Sequence, residues 1–170
     1  MLLERISAFD NLTRAFAECA RGKRGSVGYQ RAMFANGERL LTLQKKLRAG
    51  TYVWQPYREI LVKDPKARLV MAAPFMDRVV HTAIHRVVEP IFEVRLPSSV
   101  YACRKGRGNR LAATHLLRAL NAIGPSRFVV KLDVQRYFDS ISHEVLLGMI
   151  RTVMPDPSLD PLFDSLLRSQ

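Results

Sequence analysis

The chain has 170 residues, 48% of them hydrophobic and 25% charged, a composition that excludes disorder and suits one domain with a real core. Lys and Arg number 27 against 15 Asp and Glu, for a net charge of +12 and a pI near 10.4. That excess favours a polyanion such as nucleic acid over a small neutral substrate, and no run reaches the ~18 apolar residues of a membrane span.

In "MLLERISAFDNLTRAFAECA", Glu4, Arg5 and Asp10 interrupt the apolar positions, so the segment reads as an amphipathic helix and not a signal peptide. Leu2, Ile6, Phe9, Thr13 and Phe16 recur at helical spacing and predict one helix over the first ~18 residues. Cys19 and Cys103 fit no metal-ligand spacing; reduced thiols and a cytoplasmic protein are the expectation. After a basic break at Arg21–Ser26, a second helix is predicted from about Tyr29 to Arg48. It carries Leu40, Leu43 and Leu47 on one face and has Gly50 as its stop.

The pattern then changes. "YREILV" and "RLVMAAP" alternate around "KDPKA", whose Asp64-Pro65 marks a turn, so a β-hairpin is predicted with Lys63, Lys66 and Arg68 at or near its tip. Pro74 opens a long helix with Val79, Val80, Ala83, Ile84, Val87 and Val88 on its apolar face, and Pro90 is expected to end or kink it. His81 and His85 lie four apart there, with no Glu after His81 and no third ligand in view, so they read as part of a helix face.

Ser98–Asn109 is a basic loop in which Arg104, Lys105, Arg107 and Arg110 surround Gly106 and Gly108. A helix from about Arg110 to Ile123 stops at Gly124-Pro125. A strand over Phe128–Asp133, a helix from Ser142 to about Met154, the loop "PDPSLDP" and a helix over Leu159–Leu167 complete the chain.

The stretch "FVVKLDVQRYFDSISHEVL" ends its apolar run on Asp133. An Asp there suits a phosphate-accepting nucleophile, a receiver-type phosphoacceptor, a magnesium ligand for phosphoryl transfer, or a plain turn residue. Gln135 weighs against the nucleophile, which usually has a second acid two residues on, and the basic chain weighs against the receiver.

Three blocks resemble one family in the correct order. "VVKLDVQRYFDSISHEVL" resembles the first catalytic motif of reverse transcriptases. "REILVKDPKARLVMAAPFMDRVVHTAIHRVVEPIFE" is similar to the fingers hairpin and following helix of bacterial reverse transcriptases of the group II intron, retron and diversity-generating-retroelement kind, and "SVYACRKGRGNRLAA" to their next block. The resemblance covers Tyr57 to about Leu147. It implies an α+β fold, mostly helical, with a fingers hairpin and a palm strand: an N-terminal helical extension over 1–56, fingers over 57–125 and a partial palm over 126–170.

The resemblance also implies roles. Asp133 would be the first catalytic carboxylate and, with the Val134 carbonyl, would hold the Mg²⁺ ions of two-metal nucleotidyl transfer. Lys63 and Arg68 would grip the triphosphate of the incoming dNTP, with Arg136, Tyr137 and Phe138 around it; Phe138 falls at the steric gate that rejects a 2′-hydroxyl. Read alone, Phe138 is sooner an ordinary core aromatic and Tyr137 a packing residue, Asp139 reads as a turn residue, and the hairpin tip is equally a solvated one. Arg104, Lys105 and Arg107 would touch the nucleic acid, glycines letting the loop approach a phosphate chain. Implied partners are an RNA template, a DNA or RNA primer and dNTPs, with room for an accessory protein and no membrane.

The family completes its metal site with an aromatic-x-Asp-Asp hairpin, and this chain has no adjacent aspartates. The expectation is the N-terminal portion of an RNA-directed DNA polymerase, inactive as this chain alone, with an exposed apolar palm edge prone to self-association. The alternative is a non-catalytic RNA- or DNA-binding protein derived from a reverse transcriptase. A phosphoryl-transfer protein with Asp133 as nucleophile is the third reading.

Overall fold

The computed structural model describes residues 1–33, 36–65, 67–124 and 128–169. Lys66 and Pro125, both named above, lie outside them. Helices α1 (Leu2–Ile6), α2 (Phe9–Ala20), α3 (Val27–Met33) and α4 (Asn36–Arg48) precede strands β1 (Arg58–Val62) and β2 (Arg68–Ala72). Helices α5 (Phe75–Glu93), α6 (Asn109–Ile123), α7 (His143–Val153) and α8 (Asp160–Arg168) follow. The fold is α+β and mostly helical.

The chain divides into two compact units, residues 1–91 with 143–170, and residues 92–142. The core of the first is built from Leu12, Ala15 and Phe16 of α2, Leu40, Leu43 and Leu47 of α4, Val79, Val80, Ala83 and Val87 of α5, and Leu162 and Phe163 of α8. The stripe expected at the N-terminus is corrected, since Ile6 and Phe16 are buried but Phe9 and Thr13 face solvent. Phe16, Tyr29 and Phe75 add an aromatic cluster with centroids 5.2 to 6.0 Å apart. A polar seam joins α2 to α5. Asn11 donates to the Ala83 carbonyl at 3.1 Å and accepts from Arg86 Nε at 3.1 Å, and Arg86 pairs with Glu18.

The single N-terminal helix expected from periodicity is two. The chain turns at Ser7 and Ala8, with Ala8 in extended backbone at ψ 134°. Side chains from elsewhere take the carbonyls there: Asn11 Nδ2 donates to Ile6 O at 3.0 Å and Gln44 of α4 donates to Ser7 O at 2.8 Å. One of the two partners at the break lies 37 residues away. Asp156 secures α1 from the other end of the chain. It accepts from the Leu2 backbone N–H and from the Ser158 N–H and hydroxyl, and the Leu2 bond above all holds its carboxyl below the usual range.

The hairpin forms as expected, antiparallel, with Val62 opposite Arg68 and Arg58 opposite Ala72. Ile60, Leu61, Leu69 and Met71 are all exposed, so neither face of the ribbon is buried. Pro90 does not end α5, which runs on to Glu93; lacking an N–H, the exposed Pro90 gives up the helical bond to the Arg86 carbonyl at the start of the last turn.

The palm strand is the main correction. Residues 128–134 adopt no strand, and the two-stranded hairpin is the sheet found among the described residues. Phe128 is 98% exposed and Leu132 87%. An apolar run without alternation suits a strand covered on both faces with a neighbour on each edge. The described residues supply neither neighbour nor cover, so nothing offsets the entropy of extending it.

Candidate nucleic-acid interface

Residues 92–142 hold nine Lys and Arg against three Asp and Glu, half of the chain's excess of +12 in under a third of its length. Within this unit the loop between α5 and α6 is organised around one side chain. Arg104, only 7% exposed, places Nε 3.0 and 3.1 Å from the two Glu93 carboxylate oxygens and Nη2 2.7 Å from Oε1. Its Nη1 donates to the carbonyls of Pro97 (2.8 Å) and Val100 (3.1 Å), so both ends of the guanidinium fork are engaged. The bonds from Arg104 hold the Glu93 carboxyl below the usual carboxylate range.

The rest of the loop hangs on this anchor. Arg107 donates to Ser98 O at 2.7 Å, and the Tyr101 hydroxyl lies 2.6 Å from His115 Nδ1 on α6. Gly106 has φ +73° and Gly108 φ +139°, backbone that a Cβ would strain, and Cys103 also takes a positive φ of 56°. The result is an open concavity of about 600 Å³ lined by Gly106, Arg107, Gly108, Arg110 and Thr114 among others, with Lys105 and Arg110 exposed. A groove edged by cations on glycine-rich backbone can receive a phosphate chain closely.

The expected roles therefore separate. Lys105 and Arg110 present charge outward, Arg107 is half-buried with one donor on the Ser98 carbonyl, and Arg104 is spent inside the loop. Glu93, which sequence reasoning did not single out, is the partner that holds it. The one sequence signal was an isolated acid ahead of a strongly basic run.

The remaining candidates are solvent-facing. Asp133 is exposed and has no hydrogen bond or ion pair among the described residues. Val134 is 62% exposed and Phe138 84%, with Phe138 stacked edge-on against Tyr137 at 5.2 Å. Arg136, at φ 48°, closes a short turn by bonding Asp139 at 3.2 Å, which gives Asp139 the turn role read from its position. In the other unit Lys63 and Arg68 are exposed at the same end of the hairpin. Among the described residues His81 and His85 belong to no ligand cluster, and both cysteines are free.

A two-ion magnesium centre does not fit the donors present. The described residues gather no group of three or more His, Cys, Asp or Glu able to hold a metal, and Asp133 has no second carboxylate beside it to hold two ions at the close spacing such a centre needs. No helix among the described residues is long and apolar enough to cross a membrane.

No family model matches the chain. It is similar to a protein of Saccharomyces cerevisiae named for intron 1 of COX1/OXI3, 23% identical over 129 residues, which are 75% of this chain and 15% of that protein. It is also similar to nuclear intron maturase 1, mitochondrial, of Arabidopsis thaliana, 27% identical over 96% of this chain and 26% of the relative. Protein YkfC of Escherichia coli is 27% identical over 69% of this chain and 32% of its own length. Two of the three are named for introns. The chain spans between about a sixth and a third of the length of these curated relatives.

Proposed function

We propose that this chain is a non-catalytic RNA-binding module derived from a reverse transcriptase, with intron RNA as its partner. The arginine-anchored loop of residues 92–142 carries the reading: exposed Arg110 and the half-buried Arg107 line one concavity, with exposed Lys105 next to it in the chain, on a unit holding half the net charge. The similarity to an intron maturase supports intron RNA as the partner. Asp133, exposed and apart from other carboxylates, gives the polymerase reading no assembled metal centre to stand on.

The test compares binding and synthesis in one preparation. Fluorescence anisotropy with a labelled, structured intron RNA is expected to show binding that Asp133→Ala leaves unchanged. Primer extension on an RNA template with Mg²⁺ is expected to show no dNTP incorporation. Incorporation abolished by Asp133→Ala would establish the polymerase reading instead.

A further inference from the structure

We infer that Glu93 and Arg104 are positioning residues for RNA phosphates, acting together as a lock that holds Lys105, Arg107 and Arg110 in register without touching the RNA. The inference rests on the RNA-binding reading of the same loop. Arg104 is the residue that charge and position single out for direct contact, yet its side chain is 7% exposed and its donors are engaged by Glu93, Pro97 and Val100. A buried guanidinium held on a carboxylate from the end of α5 cannot turn to a phosphate without leaving that carboxylate and two carbonyls unpaired.

What the lock holds follows from chain order. Arg104 ties Pro97 and Val100 on the approach to the loop to Glu93 on the helix before it, and Arg107 ties the far side to Ser98. The cations on either side of Gly106 and Gly108 are thereby carried on fixed backbone rather than on a free chain. Ordering them before RNA arrives removes an entropic cost from binding.

Two substitutions separate positioning from charge, because simple electrostatics predicts the opposite of what the lock predicts. Glu93→Gln removes a negative charge beside a cationic surface; by charge alone it raises RNA affinity. Arg104→Lys keeps the charge but loses the fork; by charge alone it is near neutral. The lock predicts that each lowers affinity roughly tenfold, and that the double variant costs no more than either single one, because both break one unit. It also predicts that Glu93→Gln flattens the dependence of affinity on salt, although no cation has been removed. Glu93→Asp, which keeps the charge and a shorter reach, is expected to fall between wild type and Glu93→Gln. Isotherms are measured on the whole chain with the labelled intron RNA.

An unchanged or raised affinity in Glu93→Gln, or single effects that add in the double variant, would overturn the lock. If wild type does not bind RNA, it is the functional reading that fails. If wild type binds and Glu93→Gln binds better, the lock alone fails.

Discussion

The Tyr52 hydroxyl donates to the carboxylate of Asp77, which is 1% exposed and accepts a second bond from the Gln55 backbone N–H at 2.9 Å. Burial, and then Asp77 itself, push the Tyr52 phenol well above its ordinary range, so it remains a donor. This pair fixes the strap before the hairpin to the first turn of α5. Tyr52→Phe leaves Asp77 with one fewer donor in a dry site and is expected to cost about 1–3 kcal/mol in urea unfolding. A loss below about 0.5 kcal/mol, the range of ordinary surface changes, would mean that the bond does not hold the strap.

His81 carries a pH prediction. Its ring stacks on Trp54 at 5.2 Å, Trp54 donates to Ser165 of α8 at 3.0 Å, and His81 Nε2 is buried without a hydrogen-bond partner. Burial pushes the imidazole below its ordinary value, against an opposing pull from Asp77. A depressed folded value means that the unfolded chain binds the proton first. Stability is therefore full above the ordinary histidine value of about 6.5 and drains as pH falls through it towards the folded value. Thermal melts at about pH 7.5 and 5.5, either side of that value, should show wild type losing more stability than His81→Phe; equal losses would remove His81 from the account.

Asp156 sets a second, more acidic window. Its lowered carboxyl contributes stability that is fully present above the ordinary carboxylate range and is lost as pH falls through the folded value. Asp156→Asn should flatten that acid loss and speed backbone hydrogen exchange in α1, because the Leu2 N–H loses a charged acceptor. Unaltered exchange in residues 2–6 would show that α1 is held by packing alone.

Much of the fold was legible because its signals are local. Asp64-Pro65 between two alternating runs marks the hairpin, and the stripes of α4 and α5 follow from 3.6-residue spacing, whereas in α2 the buried face runs through Leu12 and Ala15 rather than Phe9 and Thr13. What escaped is set by distant partners. Gln44 is one of the two partners at the break after Ile6, and the fate of the Phe128–Asp133 run depends on neighbours that its own residues cannot announce. At the candidate interface the cations were legible from their clustering around Gly106 and Gly108. The division between Arg104 inside and Lys105 outside was not, because Glu93, the residue that decides it, sits eleven positions earlier at the end of another element.

The most direct measurement of the central claim is the RNA affinity of the whole chain across about 50 to 200 mM salt, wild type against Lys105→Ala/Arg107→Ala/Arg110→Ala. If the three cations each neutralise a phosphate, the log–log salt slope falls by roughly 2 to 3, at ~0.7 per contact on single strands and ~0.9 on duplex, and affinity at low salt drops with it. A triple variant that binds with wild-type affinity and slope would contradict the account and place the RNA elsewhere on the chain.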